Sequence, residues 1–576
     1  MRYVRRFHLP AIFCGVAVLA CGLISRPFTT MSVCDDGSYI LMAQTLARTG
    51  RIVYNGWAAG MMAWQLYLGA AFIKLFGFSF TTVRMSTLLI AGVIAWVIQR
   101  TLVRTGVTER NATISTLALV LSPLYLMLSA TFMTDISGLF AIVLCLYGCI
   151  RALQASTDRS AISWVCFAVV TNVICGTSRQ IAWLGVLVMV PSTLWLLRFQ
   201  RRVLLAGAAA VFAGSLSILA CMHWLSLQPY VFPVPLLVRD FPIKGAVKQL
   251  SYFLLEIPFL LLPIVALFLL EIRKTRLRNI CILSAALLAY LLIAIHTRTH
   301  NPFLRLEPTA GGEGSWVGVH GIYEGIALHG RPVFLGLKAQ ILLTILSLGG
   351  ALGVVVVIFQ IGRTPTPERE TAGVSWKQLG ILLLPFELAY TLLCIAATGT
   401  THAIYDRYAL GLLVPVLICL VRLYQERVQP RLPLASALLV GVMAVYGIAV
   451  THNTFAVNRA RVALAEELHA SGIPDTSIDG GWDYNFDVEL RHSNYINNPS
   501  IKIPANAYVP VPSPPHGECE MFWYDRTPHI QPIYSISVDP DACYGRAPFA
   551  PVHYSRWLSR APGTLYAVRF TPATAP

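Results

Sequence analysis

The chain is a succession of apolar runs near the length that a helix needs to cross the hydrocarbon core of a bilayer, about 20 residues. About thirteen such runs, each bounded by charge, lie at 9–25, 84–103, 111–130, 136–154, 161–176, 181–199, 203–227, 251–270, 279–296, 338–361, 378–398, 409–424 and 432–451. Of 576 residues, 56% are hydrophobic and 12% charged, whereas soluble domains carry about 25% charged residues. A soluble enzyme is thereby excluded, as are disordered chains and small disulfide scaffolds. The sequence predicts a mainly α polytopic membrane protein. Its net charge of +16 sits in short clusters between the runs, which is the pattern of cytoplasmic loops and not of a nucleic-acid-binding surface.

The basic clusters set the expected orientation. The first run follows Arg2, Arg5 and Arg6 and is read as a retained helix, because no small-x-small cleavage site follows it. With the N-terminus in the cytoplasm, the inner loops hold Arg100/Arg104/Arg110, Arg151/Arg159, Arg198/Arg201/Arg202, Arg273/Lys274/Arg276/Arg278, Arg363/Arg369/Lys377 and Arg422/Arg427/Arg431. The expected location is the plasma (inner) membrane, with residues 1–452 as the transmembrane domain. Residues 453–576, rich in Pro, Asn, Asp and Tyr, are expected to form a small C-terminal extracytoplasmic α/β domain. Ten of the 13 Cys fall in or beside apolar runs; Cys34, Cys519 and Cys543 face outward, and a Cys519–Cys543 disulfide suits an oxidising compartment.

The first outer loop, residues 26–83, carries the sharpest chemical signal. It opens on Cys34-Asp35-Asp36-Gly37-Ser38-Tyr39, and Tyr39, Met42, Ala43, Leu46 and Gly50 then share one face at helical spacing. Arg48 in the last turn and Gly50 at the C-cap complete an interfacial helix. A second such stretch, 61–77, holds Trp64, Tyr67 and Lys74. One of the two aspartates is expected to cap the helix, which leaves the other as a candidate general base at the membrane surface. Asp135, in the short outer link Thr131-Phe132-Met133-Thr134-Asp135, is either a second cap or a functional carboxylate at the membrane boundary. On the same side lie Arg179, Arg239, Lys244, Arg298, Arg305, and Arg407 followed by Tyr408. Singly each of these cations is a headgroup anchor; together they supply what a lipid phosphate needs.

These residues resemble the GT-C superfamily of membrane glycosyltransferases, within it glycosyltransferase family 39 in the broad sense, the aminoarabinose transferases, the protein O-mannosyltransferases and the RgtA/B/C/D-like proteins. The resemblance lies in Asp35-Asp36 followed by Tyr39, in Ala43, Leu46 and Gly50, in Leu75-Phe76-Gly77-Phe78-Ser79 with Arg84, in Thr134-Asp135, and in Arg407-Tyr408 with Pro415. It implies a GT-C type transmembrane domain and transfer of a hexosyl or pentosyl group from a polyprenyl-phosphate donor to an extracytoplasmic hydroxyl of a lipid, polysaccharide or protein, with inversion. By the same analogy the catalytic set is Asp35, the first acid of the pair and the base, with Asp36 and Asp135. Tyr39, Arg179, Arg239, Lys244, Arg305, Arg407 and Tyr408 would bind substrate. Asp36 stands where relatives have Glu, and Asn55-Gly56-Trp57-Ala58-Ala59-Gly60 replaces the Lys-Pro-Pro-rich stretch of the aminoarabinose transferases.

No metal is expected to be tightly bound, because the outer His296, His300, His320, His329 and His402 are scattered; a divalent cation is possible but not predicted. The long outer loop, 297–337, with Gly311-Gly312-Glu313-Gly314 and Trp316, reads as a flap over the donor. In the tail, Ile478-Asp479-Gly480-Gly481-Trp482-Asp483-Tyr484-Asn485 reads as a Gly turn that either closes a hairpin, the favoured reading, or touches a glycan acceptor. The rival class is a transporter or flippase, for which Glu256 and Glu387, each beside a proline within an apolar run, are the best residues.

Overall fold

The computed structural model describes residues 2–232, 253, 256–274, 285, 317–318, 321–322, 337–361, 373–401, 405–511 and 519–571. The run at 279–296 apart from residue 285, most of the 297–337 loop, Arg239, Lys244, Arg298 and Arg305 lie outside the described residues. Among those described, eight helices are long and apolar enough to cross a bilayer, or nine if one bent pair is a single span. The chain is a multi-pass membrane protein.

Helix α1 (Arg2–Ile24) leads to α2 (Asp36–Thr49) and α3 (Ala63–Phe76), and these to the spans α4 (Phe80–Arg104), α5 (Glu109–Val120), α6 (Pro123–Ser129), α7 (Thr134–Leu153) and α8 (Asp158–Gly176). Helices α2 and α3 fall where helical spacing places them. Tyr39, Met42, Ala43 and Leu46 are the buried face of α2, and Gly50 ends it in the left-handed conformation with its N–H on Leu46 O. Helix α4 packs on α1 and α7, and α7 on α8, so the ends of α4, α7 and α8 frame one corner of the bundle.

Three expected spans differ from a straight helix, each for a backbone reason. The run at 111–130 breaks between α5 and α6 with a 68° bend. Pro123 has no N–H to continue the ladder, and Ser122 accepts the N–H of Tyr125 instead. The run at 181–199 is a 3-10 turn (Gln180–Trp183), a π turn (Gly185–Met189) and α9 (Val190–Leu196), with Pro191 in the first turn of the last. The side chain of Asn172 in α8 compensates the irregular backbone: its amide donates to Ala182 O (2.9 Å) and Ala141 O (3.1 Å), and its oxygen accepts Val186 N–H (3.1 Å). In the run at 251–270 the described part is a short helix, Leu262–Val265, followed by a 3-10 stretch, Ala266–Lys274.

Beyond α10 (Arg201–Ser226), the later spans are Leu337–Ile361, Trp376–Thr401, Leu410–Arg427 and Leu434–Ala470. The last of these has 37 residues and passes without interruption through the expected boundary at 452/453. Its final turns supply Leu464 and Leu468 to the core of the C-terminal domain, beside Ile478, Val488, Ile536 and Leu565. A short antiparallel pair, β1 (Val317–Gly318) and β2 (Gly321–Ile322), lies earlier in the chain. In the C-terminal domain β3 (Ile478–Asp479), β4 (Tyr534–Ser537), β5 (Val552–Tyr554) and β6 (Gly563–Arg569) form a sheet of order β3-β4-β6-β5. The β3–β4 pair is parallel and the others antiparallel. Strand β3 turns at Gly480-Gly481 straight into the helix Trp482–Ser493. The hairpin expected there is therefore a strand-to-helix junction, stabilised by Asn485, which donates to Asp479 (2.7 Å) and accepts Gly480 N–H (3.0 Å). Cys519 and Cys543 are joined as a disulfide.

Candidate active site

The acidic pair divides its labour at the start of α2. Asp35 occupies the N-cap position but its side chain makes no capping bond. Asp36 points inward and is wholly buried. Its carboxylate takes Arg84 Nε at 2.7 Å and Nη2 at 2.9 Å, accepts Val33 N–H at 2.8 Å, and accepts Phe132 N–H at 3.2 Å. Arg84, on the first turns of α4 and equally buried, also donates to Met31 O (2.8 Å) and lies between the Phe80 and Phe455 rings. Asp36 is thus a hub that ties the 31–36 loop to α4 and to the segment leading into α7. Neither aspartate acts as the helix cap expected of one of them.

The segment so anchored carries Asp135. This residue sits in the first turn of α7, where the helix dipole favours a carboxylate, and is 2% exposed. Arg179, from the turn after α8, forms an ion pair with it. Gly138, one turn further along α7, makes the approach possible, since a Cβ there would lie 3.0 Å from Arg179 Cβ. Arg407 enters from the 3-10 turn Asp406–Ala409. Its Nη1 is 3.8 Å from Asp135 Oδ2 and its Nη2 is 3.9 Å from Asp35 Oδ2. Both separations are ion-pair contacts outside hydrogen-bond range. Among the described residues, Arg407 Nε and Asp135 Oδ2 have no hydrogen-bond partner. The Arg407 guanidinium lies over the Tyr405 ring at 4.6 Å, and that of Arg179 over the Tyr408 ring at 5.0 Å.

The result is an alternating row, Asp35, Arg407, Asp135 and Arg179, gathered from four separate segments. Asp135, Gly138, Arg179, Tyr390, Arg407 and Gly411 line a cavity of ≈ 10 Å³ against it, about the room one water requires. Asp35 forms the end of the row with a side chain 16% exposed. Burial pushes its carboxyl above the usual value, against the opposing pull of the Arg407 charge and of the Trp57 and Cys34 side chains, which favour the charged form. The phenol of Tyr39 is buried within electrostatic reach of Asp35, Arg407 and Asp135. Such a row offers a carboxylate of raised basicity next to a guanidinium with donors to spare.

Asp35, Asp36, Tyr39, Asp135, Arg179, Arg407 and Tyr408 are therefore brought together, Asp36 as an anchor beneath the others. Arg84, Trp57, Cys34 and Tyr390 join them without having been assigned roles from sequence. An arginine at the start of an apolar span is costly unless paired, and that was the signal at Arg84. Trp57 stands in the stretch that departs from the aminoarabinose transferases. Nothing in the sequence marks Tyr390, one of three aromatics in its span. Among the described residues, no three His, Cys, Asp or Glu side chains cluster as metal ligands do.

The C-terminal domain reaches the same loop. Asp487, on Trp482–Ser493, accepts Ser32 N–H at 2.7 Å and also the Ser32 hydroxyl. Burial, with Asp36 and Asp483 nearby, pushes its carboxyl up from 3.8 to about 7 in spite of those bonds. The folded value lies above the unfolded one, so the folded chain holds a proton that the unfolded chain releases. The associated stability is present below the unfolded value and is lost as pH rises through about 7. Replacing Asp487 by Asn should flatten the fall of the unfolding temperature across this window, as read by thermal unfolding at a series of pH values.

No protein-family model matches the chain, and no curated protein matches it. Among solved structures it is similar to ArnT from Cupriavidus metallidurans in the apo state, at 14% identity over 81% of this chain and 82% of that one, with a TM-score of 0.39. It is similar to the same protein bound to undecaprenyl phosphate, at 13% identity over 96% of each chain and a TM-score of 0.40. A third is the archaeal oligosaccharyltransferase AglB from Archaeoglobus fulgidus in complex with an inhibitory peptide and a dolichol-phosphate, at 15% identity over 90% of this chain and 64% of that one, with a TM-score of 0.41.

Proposed function

We propose that the chain is a GT-C type glycosyltransferase that moves a hexosyl or pentosyl group from a polyprenyl-phosphate donor to the hydroxyl of an extracytoplasmic lipid, polysaccharide or protein. The observation that carries this reading is the Asp35–Arg407 pair: a carboxylate raised by burial, 3.9 Å from a buried guanidinium whose Nε is uncommitted among the described residues. The motif resemblance in the first loop supports the same assignment. The N-terminus is then cytoplasmic, the C-terminal domain extracytoplasmic, and the membrane the plasma (inner) membrane.

In this reaction Asp35 takes the proton of the acceptor hydroxyl, whose oxygen bonds to the anomeric carbon of the donor sugar. The bond from that carbon to the phosphate oxygen breaks on the opposite face, which gives inversion. The polyprenyl phosphate departs with an added negative charge, and stabilising that charge is the larger demand on the protein. Arg407 meets it, with Arg179 behind. Asp135 holds both guanidiniums in place without neutralising the donors that face the phosphate. Tyr39 and Tyr408 line the sugar's approach.

The transporter reading draws on Glu256, which is buried with both carboxylate oxygens unpartnered among the described residues, and on Glu387, which is half-buried with one such oxygen. Native mass spectrometry of the lipids retained by gently purified protein separates the two. The expected result is polyprenyl phosphate or its glycosylated form on the wild type. In Arg407→Ala the affinity should be about 10–100-fold weaker, the worth of one charge-assisted contact. Retention of bulk phospholipid alone, with added polyprenyl-phosphate sugar failing to bind, would transfer the assignment to a transporter.

A further inference from the structure

We infer that the helix Trp482–Ser493 of the C-terminal domain is a positioning element for the Asp35 carboxylate. The inference rests on the reading of Asp35 as the base. Two pairs of residues spaced one turn apart, on adjoining faces of this helix, grip two different anchors of that carboxylate.

The first pair, Asp483 and Asp487, holds the backbone that precedes Asp35. Asp487 accepts both donors of Ser32. Asp483 accepts Cys34 N–H at 2.9 Å, and its own backbone oxygen accepts the Ser32 hydroxyl at 3.2 Å. Asp483 is itself fixed by Arg461, with Nη1 3.2 Å from Oδ2 and both side chains 1% exposed. Between these holds Cys34 adopts φ +59°, in the left-handed region that side chains seldom occupy. That turn directs the chain from the buried Ser32 to the more open Asp35. Gly37 permits the close approach, because a Cβ there would lie 2.6 Å from Asp487 Oδ1.

The second pair, Trp482 and Phe486, holds the other anchor. Trp57, which favours the charged form of Asp35, packs with ring centroids 5.0 Å from Trp482 and 5.2 Å from Phe486, and 5.5 Å from Trp523. From below, Arg84 takes Met31 O and Asp36. The carboxylate is therefore located by the bundle on one side and by this helix on the other. A misplacement near 1 Å costs a catalyst about 100-fold in rate.

The test uses the full-length protein, with the variants Asp483→Asn, Cys34→Val and Cys34→Gly and polyprenyl-phosphate sugar as donor. Valine, being β-branched, resists the left-handed turn, and glycine accepts it. Cys34→Val and Asp483→Asn should each lower kcat by about 100-fold with the donor KM within about twofold, and should move the acid limb of the kcat–pH profile by about half a unit or more. Cys34→Gly should lose less than Cys34→Val. If Asp483→Asn fails to fold because Arg461 is left unpaired, the ordering of the two Cys34 variants decides. Wild-type kcat in Cys34→Val, or an acid limb that stays in place while only the yield of folded protein drops, overturns the inference. The underlying reading is judged separately by Asp35→Asn: if that variant loses transfer and the Cys34 variants do not, the inference alone fails. If Asp35→Asn turns over at the wild-type rate, both fail.

Discussion

Asp35→Asn lowers the rate of sugar transfer by about 10²–10⁴-fold, the contribution of a general base, and leaves donor binding close to the wild type. Asparagine keeps the shape of the side chain, and the Asp35 side chain makes no capping bond that the substitution would break, so the loop has no reason to move. What it loses is the capacity to take a proton. Arg407 still faces Asp135 at 3.8 Å, and its hold on a phosphate is retained. The wild type should also show an acid limb in kcat displaced above the usual carboxylate range, because burial raises Asp35; activity falls as pH drops through that value and the base is protonated. Initial rates with a polyprenyl-phosphate sugar between about pH 4 and 8 read both effects. Wild-type turnover by Asp35→Asn would remove the residue from the role of base.

Arg84→Met destabilises the folded protein by about 3–5 kcal/mol, the cost of breaking a buried ion pair from one side. Both partners are fully buried at 2.7 Å, so no solvent replaces the lost cation. The same carboxylate also receives Val33 and Phe132 N–H groups, and an unpaired Asp36 loosens the Asp35 loop and the Asp135 segment together. Arg84→Lys should fall between, since an ammonium cannot make the two-pronged contact with Asp36 and reach Met31 O as well. Denaturant unfolding in detergent measures the loss. A wild-type midpoint in Arg84→Met would show that Asp36 is not the hub of these loops.

Hydropathy and helical spacing made the long apolar helices among the described residues, helices α2 and α3 and the Gly50 cap legible, because each follows from a local property of the side chains. The breaks were harder. Pro123 and Pro191 were visible, but apolar composition continues across both, and hydropathy does not register where backbone hydrogen bonds go. At residue 453 the opposite occurred: hydropathy falls while the helix continues, because Ala456, Ala460, Leu464 and Leu468 keep one face apolar at a spacing of four. At the site, the residue types pointed to Asp35, Asp135, Arg179 and Arg407, yet the order in which they alternate depends on packing between segments far apart in the chain. The two acids of the pair look equivalent in sequence. Only the placement of α4 beneath the loop separates a buried anchor at Asp36 from an accessible carboxylate at Asp35. Asp483 and Asp487 carry no signal beyond helical spacing, and their relation to the first loop is a tertiary fact.

The unbroken helix Leu434–Ala470 is a shaft some 55 Å long at about 1.5 Å per residue, and it keys the rotation of the C-terminal domain to that of the bundle. One inserted residue beyond the bilayer would turn everything that follows by about 100°, and seven would restore the angle to within about 20° while lifting the domain by about 10 Å. No change of length is silent on both counts. Only substitution leaves both the angle and the height of the domain unchanged, so the helix dimensions the gap between bundle and domain as tightly as a bearing.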